Sequence, residues 1–327
     1  MKRLIILAGI AMLPHQLHAQ DTSAKEPTSA ETTAAADAAK KTGALYIEKK
    51  YREAADFGKA EAKKAPTDTP QAIIDKAAIQ FWQALAESKL NDTAAFNETS
   101  VKRYTMLRQA HTKYPDHFKL TLAYINGIDR YARAAKIPDV KIERQRTAIP
   151  VAEVLVRKNP DNATAIIALA RTYQNLATNL RWSKRREELA EPVDKGLAAL
   201  KKLDASDVPT GYPALPVMQY QLASLKTGVY VLAKDYAKAK KASGVSVAFA
   251  EAAIKSGKLQ AHDFPQAAQI HYTHALILQD SGEKEASKEH FKKVLETYAT
   301  AISKFPDNAY LKSQLKRYEQ YKTKPLK

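Results

Sequence analysis

The sequence predicts an all-α protein built as a stack of antiparallel helix pairs, and three observations carry that prediction. Only 10 of the 327 residues are Gly, against an abundance of Ala, Leu, Lys and Glu, which favours helices over tightly turned strands. Apolar residues recur three and four apart, as in Ile73, Ala77, Phe81, Leu85 and in Ile166, Leu169, Ala170, Tyr173, Ala177, the spacing of one helix face. Short breaks of similar composition return about every 45 residues, the length of two helices and two turns.

Residues 1–19 read as a secretory signal peptide. Lys2 and Arg3 precede an apolar run from Leu4 to Leu13, Pro14 breaks it, and Leu17-His18-Ala19 forms a small-residue site with cleavage expected after Ala19. The run is about half of the roughly 20 residues that a bilayer-spanning helix needs. No Cys flanks the site, so a lipoprotein is not expected. Residues 20–36, rich in Thr, Ser, Ala and Glu, hold no large apolar side chain and read as a disordered linker. The expected location is the periplasm.

Residues 37–322 read as the helical body. Lys113-Tyr114-Pro115-Asp116-His117, Lys158-Asn159-Pro160-Asp161-Asn162 and Lys304-Phe305-Pro306-Asp307-Asn308 share one logic, and Lys64-Ala65-Pro66-Thr67-Asp68 is a weaker version. A lysine suits the negative end of a helix dipole, proline forbids continuation, and Asp or Asn caps the next helix. Residues 309–322 read as a polar closing helix, and 323–327 as a basic tail.

These residues resemble the tetratricopeptide-repeat (TPR) family. Pro160-Asp161-Asn162-Ala163 with Ile166, Leu169, Ala170, Tyr173 and Ala177 is similar to the end of one repeat and the first helix of the next. Ala275, Leu278, Gly282, Ser287, Phe291 and Val294 fall where the family alternates small and large packing residues around a turn glycine. The units are longer than the family's usual 34 or so residues. The resemblance implies a right-handed α-solenoid of about five to six helix pairs, each stabilised by its neighbours.

The resemblance also implies a concave groove lined by the first helix of each pair. The matching exposed positions are Asn126, Asp129, Arg130 and Arg133, then Thr164, Arg171, Gln174, Asn175 and Asn179, then Gln269, Tyr272 and Gln279. Arg, Asn and Gln there suit a peptide backbone, a carboxylate or a sugar hydroxyl. The implied function is a non-enzymatic scaffold that holds other envelope proteins together.

The formal net charge is +17, or +15 once Lys2 and Arg3 leave with residues 1–19, which hold no acid. Such a bias suits an anionic partner, a polysaccharide or lipid headgroups, with nucleic acid not expected for an exported chain. Arg181, Trp182, Lys184, Arg185 and Arg186 form the densest cationic run and are the candidate polyanion contact. Lys234, Lys238, Lys240 and Lys241 form a second run.

No catalytic constellation, phosphate-binding glycine loop or zinc signature is present, and with no Cys in the chain there is no thiolate chemistry. No cofactor is expected. His271 and His274, one turn apart, are the nearest approach to a metal pair, with His262 or Asp263 as a third ligand. The repeat register places both histidines in the core, and packed histidine is the favoured reading. Trp82 is expected in the core.

Overall fold

A computed structural model describes residues 30–322, of which fourteen segments are α-helices. The signal-peptide and tail assignments, and residues 20–29 of the linker, lie outside the described residues. The helices form six pairs and a closing helix: α1 (Ala30–Ile47) with α2 (Tyr51–Lys64), α3 (Pro70–Lys89) with α4 (Thr93–Lys113), and α5 (Phe118–Arg133) with the broken helix α6 (Pro138–Arg146) and α7 (Ala148–Lys158). Then come α8 (Ala163–Arg181) with α9 (Ala190–Leu200), α10 (Leu215–Leu232) with α11 (Tyr236–Lys255), α12 (Phe264–Asp280) with α13 (Lys284–Lys304), and α14 (Ala309–Lys322). No strand occurs among the described residues. The fold is the expected all-α, TPR-like helical repeat.

One boundary moves. The linker assigned to 20–36 overlaps α1, which starts at Ala30. Alanine is the best helix former, and Ala35, Ala38 and Ala39 are buried against Ala62, Ala65 and Ile79. Small side chains let α1 approach closely, so no large apolar residue was needed to order it.

The corners between pairs form as the proline signatures require, but the cap is the residue after the aspartate. His117 Nδ1 accepts from the Leu120 amide at 3.2 Å, and the Asn162 and Asn308 side chains each accept from the amide three residues on at 3.1 Å. Asp116 instead pairs with Lys158 one unit later. Similar inter-unit ion pairs join Arg185 to Glu143, Lys240 to Glu283, and Lys293 to Glu251.

Turns inside the pairs use a different device. Lys49, Asn91, Lys234 and Gly282 all have positive φ, each two residues before a second helix. In each, the following amide reaches back five residues, as Asp235 N does to Tyr230 O at 2.9 Å, the C-terminal motif that favours glycine. Lysine carries a cost there that Gly282 does not. Replacing Lys234 by Gly is expected to stabilise the protein by about 0.5–1 kcal/mol, read as a rise in the urea midpoint. An unchanged or lower midpoint would contradict it.

The largest core cluster unites α8, α9 and α10 around Ile167, Leu180, Leu200 and Leu222. A second joins α10 to α14 around Tyr220, Phe264, Val294 and Tyr298. Ser287 donates to the Ala275 carbonyl at 2.8 Å, so the small residues expected in this pair do meet. The first helices α1, α3, α5, α8 and α10 touch in sequence, forming one row.

Candidate groove between the first helices

On that row a shallow groove with a cavity of about 30 Å³ opens between α5 and α8, lined by Leu122, Ile125, Asn126, Asp129, Gln145, Ala168, Arg171, Thr172, Asn175 and Tyr212. Four sequence-selected positions, Asn126, Asp129, Arg171 and Asn175, thus meet in one place. Each helix supplies its pair at a three- or four-residue interval, because side chains so spaced share a helix face.

Arg130, the next position on the Asn126 face of α5, is half-buried, with its guanidinium 4.9 Å from the Phe81 ring centroid. Arg103, on α4, lies 5.6 Å from the same ring and is only 5% exposed. Its Nε donates to the Ala77 carbonyl at 2.9 Å, while Nη1 has no partner among the described residues. Gly127 makes room for Leu107 beside it, whose Cδ1 an added Cβ would meet at 2.9 Å. Burial lowers the Arg103 pKa to about 9, with Arg130 adding repulsion, and burial lowers that of Arg130 to about 10, with Arg133 adding to it. Asp129, the one carboxylate among the described residues of the groove wall, is held by Arg133 at 3.1 Å. The charged residues of the groove wall are thus one cation, Arg171, and one carboxylate, Asp129, whose charge also favours the ionised forms of Arg103 and Arg130.

Gln145 and Tyr212 are contributors that the first-helix pattern missed. Gln145 comes from the second helix of its pair, is 1% exposed, and leaves Oε1 unpartnered among the described residues. Tyr212 sits on the long connection before α10 and hydrogen-bonds Thr164. Gln174 and Asn179 are half-buried on α8, and Gln174 Nε2 lacks a partner among the described residues. Tyr272 and Gln279 lie on α12, further along the stack, where Tyr272 packs edge-on against Phe291 and Tyr318.

The basic run does not form one cationic face. Arg181 turns inward, where a Cβ on Gly228 of α10 would meet its guanidinium at 2.9 Å. Arg185 bonds Glu188 at 2.6 Å and Glu143 at 2.7 Å. Trp182 and Lys184 remain exposed, as does Arg186. In the second run, Lys238 and Lys240 pair with Asp235 and Glu283.

His271 and His274 are buried, at 1% and 8% exposure, and the third member of their cluster is His290. His271 Nδ1 stands 3.3 Å from His290 Nδ1, and His274 Nδ1 is 2.7 Å from Ser243 Oγ. His262 lies beside Asp263 instead. No three potential ligands converge on a metal position among the described residues. Trp82 is half-buried, at 5.6 Å from Tyr46 and 5.2 Å from Phe81.

Fold and groove together define the class: a TPR-like helical repeat with an amide-rich inner groove. Among solved structures, the chain is similar to BtubC (BKLC) from P. vanneervenii, with TM-score 0.51 and 11% identity, covering 83% of this chain and 92% of that one. It is also similar to the apo form of the quorum sensor NprR from B. thuringiensis, with TM-score 0.53 and 13% identity, covering 91% and 72%. TTC0263, a thermophilic TPR protein of Thermus thermophilus, aligns over 75% of this chain and 99% of its own at 16% identity, with TM-score 0.33. At these identities the likeness is one of fold. No protein-family model and no curated protein matches the chain.

Proposed function

We propose that this chain is a non-enzymatic scaffold of the cell envelope that holds an extended segment of a partner protein in the α5–α8 groove. The observation that carries the reading is the display of Asn126 and Asp129 on α5 against Arg171 and Asn175 on α8, with Gln145 Oε1 unpartnered among the described residues behind them. Amides and guanidinium groups are the side chains that bond a peptide backbone. A preformed groove also lowers the entropy cost of ordering a flexible segment. Residues 2–19 support export and a periplasmic location.

A photo-crosslinking residue at Asn175, introduced into the full chain in intact cells, tests this. The expected result is a discrete protein adduct that is lost when the same residue replaces Lys312 on α14. Adducts equally diverse at both positions would reject the groove. The competing reading, an anionic glycan held by the basic surface, rests on the +17 charge. Against it, the densest basic run is divided by its ion pairs. Attraction that disappears at physiological salt would be non-specific.

A further inference from the structure

We propose that the edge of the stack formed by the turns within pairs docks on a bilayer surface carrying anionic lipid and dips Ile137, Trp182 and Leu232 into it. This edge lies apart from the α5–α8 groove and does not depend on what that groove holds. Each pair reverses the chain, and the first helices touch in sequence. The turns within pairs therefore share one edge, and the corners between pairs share the other. Five large apolar side chains among the described residues are more than half exposed: Ile47, Ile137, Trp182, Leu232 and Tyr310. Four of them end a first helix or stand in the turn that follows it, and only Tyr310 lies by a corner. A single exposed apolar residue is ordinary, but their gathering gives this edge a character that the other lacks.

Three consecutive turns come together here. A Cβ on Gly228 of α10 would meet the Arg181 guanidinium at 2.9 Å, and Leu232 is one turn further along that face. The same guanidinium stands 5.0 Å from the Trp182 ring centroid. Arg185 reaches Glu143 at 2.7 Å, which ties the turn after α8 to α6, the helix that Ile137 precedes. Among these apolar tips stand Lys136, Lys184, Arg186 and Lys234, exposed and without an ion pair among the described residues. Two exposed carboxylates, Asp139 and Glu187, accompany the four cations, which leaves a positive surplus. A protein partner would have to bury charged groups between the apolar ones, and interface cores are depleted in charge. A bilayer surface takes the two kinds separately. Its interfacial layer accepts Trp, Ile and Leu one at a time, while lipid phosphates stay level with the lysine and arginine heads. No described helix is long and apolar enough to cross a membrane, and the proposed contact is with its surface.

The test sediments the full chain with vesicles of phosphatidylcholine, with and without phosphatidylglycerol, at physiological salt. Binding to the anionic vesicles is expected to be at least about tenfold tighter, since each cation held near an anionic surface adds to the attraction. Lys184→Glu with Arg186→Glu is expected to remove about tenfold or more of it. Lys201→Glu with Lys202→Glu, the same charge change at the corner after α9, is expected to remove far less. Trp182→Ser with Leu232→Ser is expected to fold normally by circular dichroism, because both side chains are more than half exposed, and to lose about tenfold in binding. If that pair melts early, Ile137→Ser in the connection before α6 carries the apolar arm with a smaller loss. Equal losses at the two edges would leave only the general attraction of a basic protein and overturn the proposal. So would unchanged binding in the apolar variants, or a photo-crosslinker at Trp182 that captures a discrete protein and no lipid in intact cells.

Discussion

Lowering the pH from 7 to 4 is expected to remove about 4 kcal/mol of stability through His271 and His274. Burial holds both near pKa 4 in the fold, below the ordinary 6.5, and His290 repels a proton on either. The unfolded chain therefore takes up protons below pH 6.5 that the folded chain refuses. Stability is undiminished above pH 6.5, falls as pH drops toward 4, and levels off below that. A shift of this size corresponds to about 3 kcal/mol per group, reduced to about 2 because relaxation and water entry around a charged imidazole soften the penalty. The facing groups on α11 and α13 limit escape: Lys240 and Lys293 oppose protonation, while Glu251 and Glu283 favour it.

Asp75 acts in the opposite sense. Burial raises it to about 6, so its penalty disappears as the pH falls through 6. The net curve mixes both signs, and the reading must be a difference. Urea unfolding of the wild type and of His271→Gln/His274→Gln at pH 7 and pH 4 supplies it. The wild type should lose about 4 kcal/mol more than the variant over that interval. Parallel losses would show that the pair does not carry the acid sensitivity.

Leu222→Ala is expected to cost about 3 kcal/mol, and Gly196→Ala in the same molecule is expected to return about 1 of them. Leu222 is 1% exposed in the α8–α9–α10 core. A Cβ on Gly196 would lie 2.5 Å from Leu222 Cδ2 and 3.3 Å from Tyr173 Cβ. Alone, Gly196→Ala overpacks this contact and loses about 1 kcal/mol or more, partly offset by its better helix propensity. With Leu222 shortened, the added methyl enters vacated space, so clash and cavity cancel in part. The four urea curves of this cycle decide it. A double variant whose loss equals the sum of the single losses would show that the two sites do not touch.

The inter-pair corners were legible because proline, a lysine before it and a capping side chain after it act locally. The intra-pair turns were less so, since Lys49 and Lys234 stand where glycine is favoured and nothing in their chemistry announces positive φ. The start of α1 was hidden because alanine packing needs no large side chain. In the groove, Asn126, Asp129, Arg171 and Asn175 were visible from helical register on α5 and α8. Gln145 was not, because it reaches in from the second helix of its pair. The burial of Arg103 behind α5 was not visible either, because a charged residue on α4 reads as a wet face, and only the Ala77 carbonyl and the Phe81 ring explain it. The Arg181–Arg186 run looked uniform because its partners, Glu143 and Gly228, lie more than forty positions away.

The ties between Asp116 and Lys158, Glu143 and Arg185, Glu251 and Lys293, and Lys240 and Glu283 cross from one unit to the next at separations of 42 or 43 residues. Apolar cores hold the stack together at any ionic strength, but these surface bridges weaken with salt. They act as small clasps along a coil. In dilute electrolyte the coil is stiffer and its pitch better fixed. In concentrated electrolyte the same molecule becomes a softer spring whose inner curvature adjusts to what lies within it.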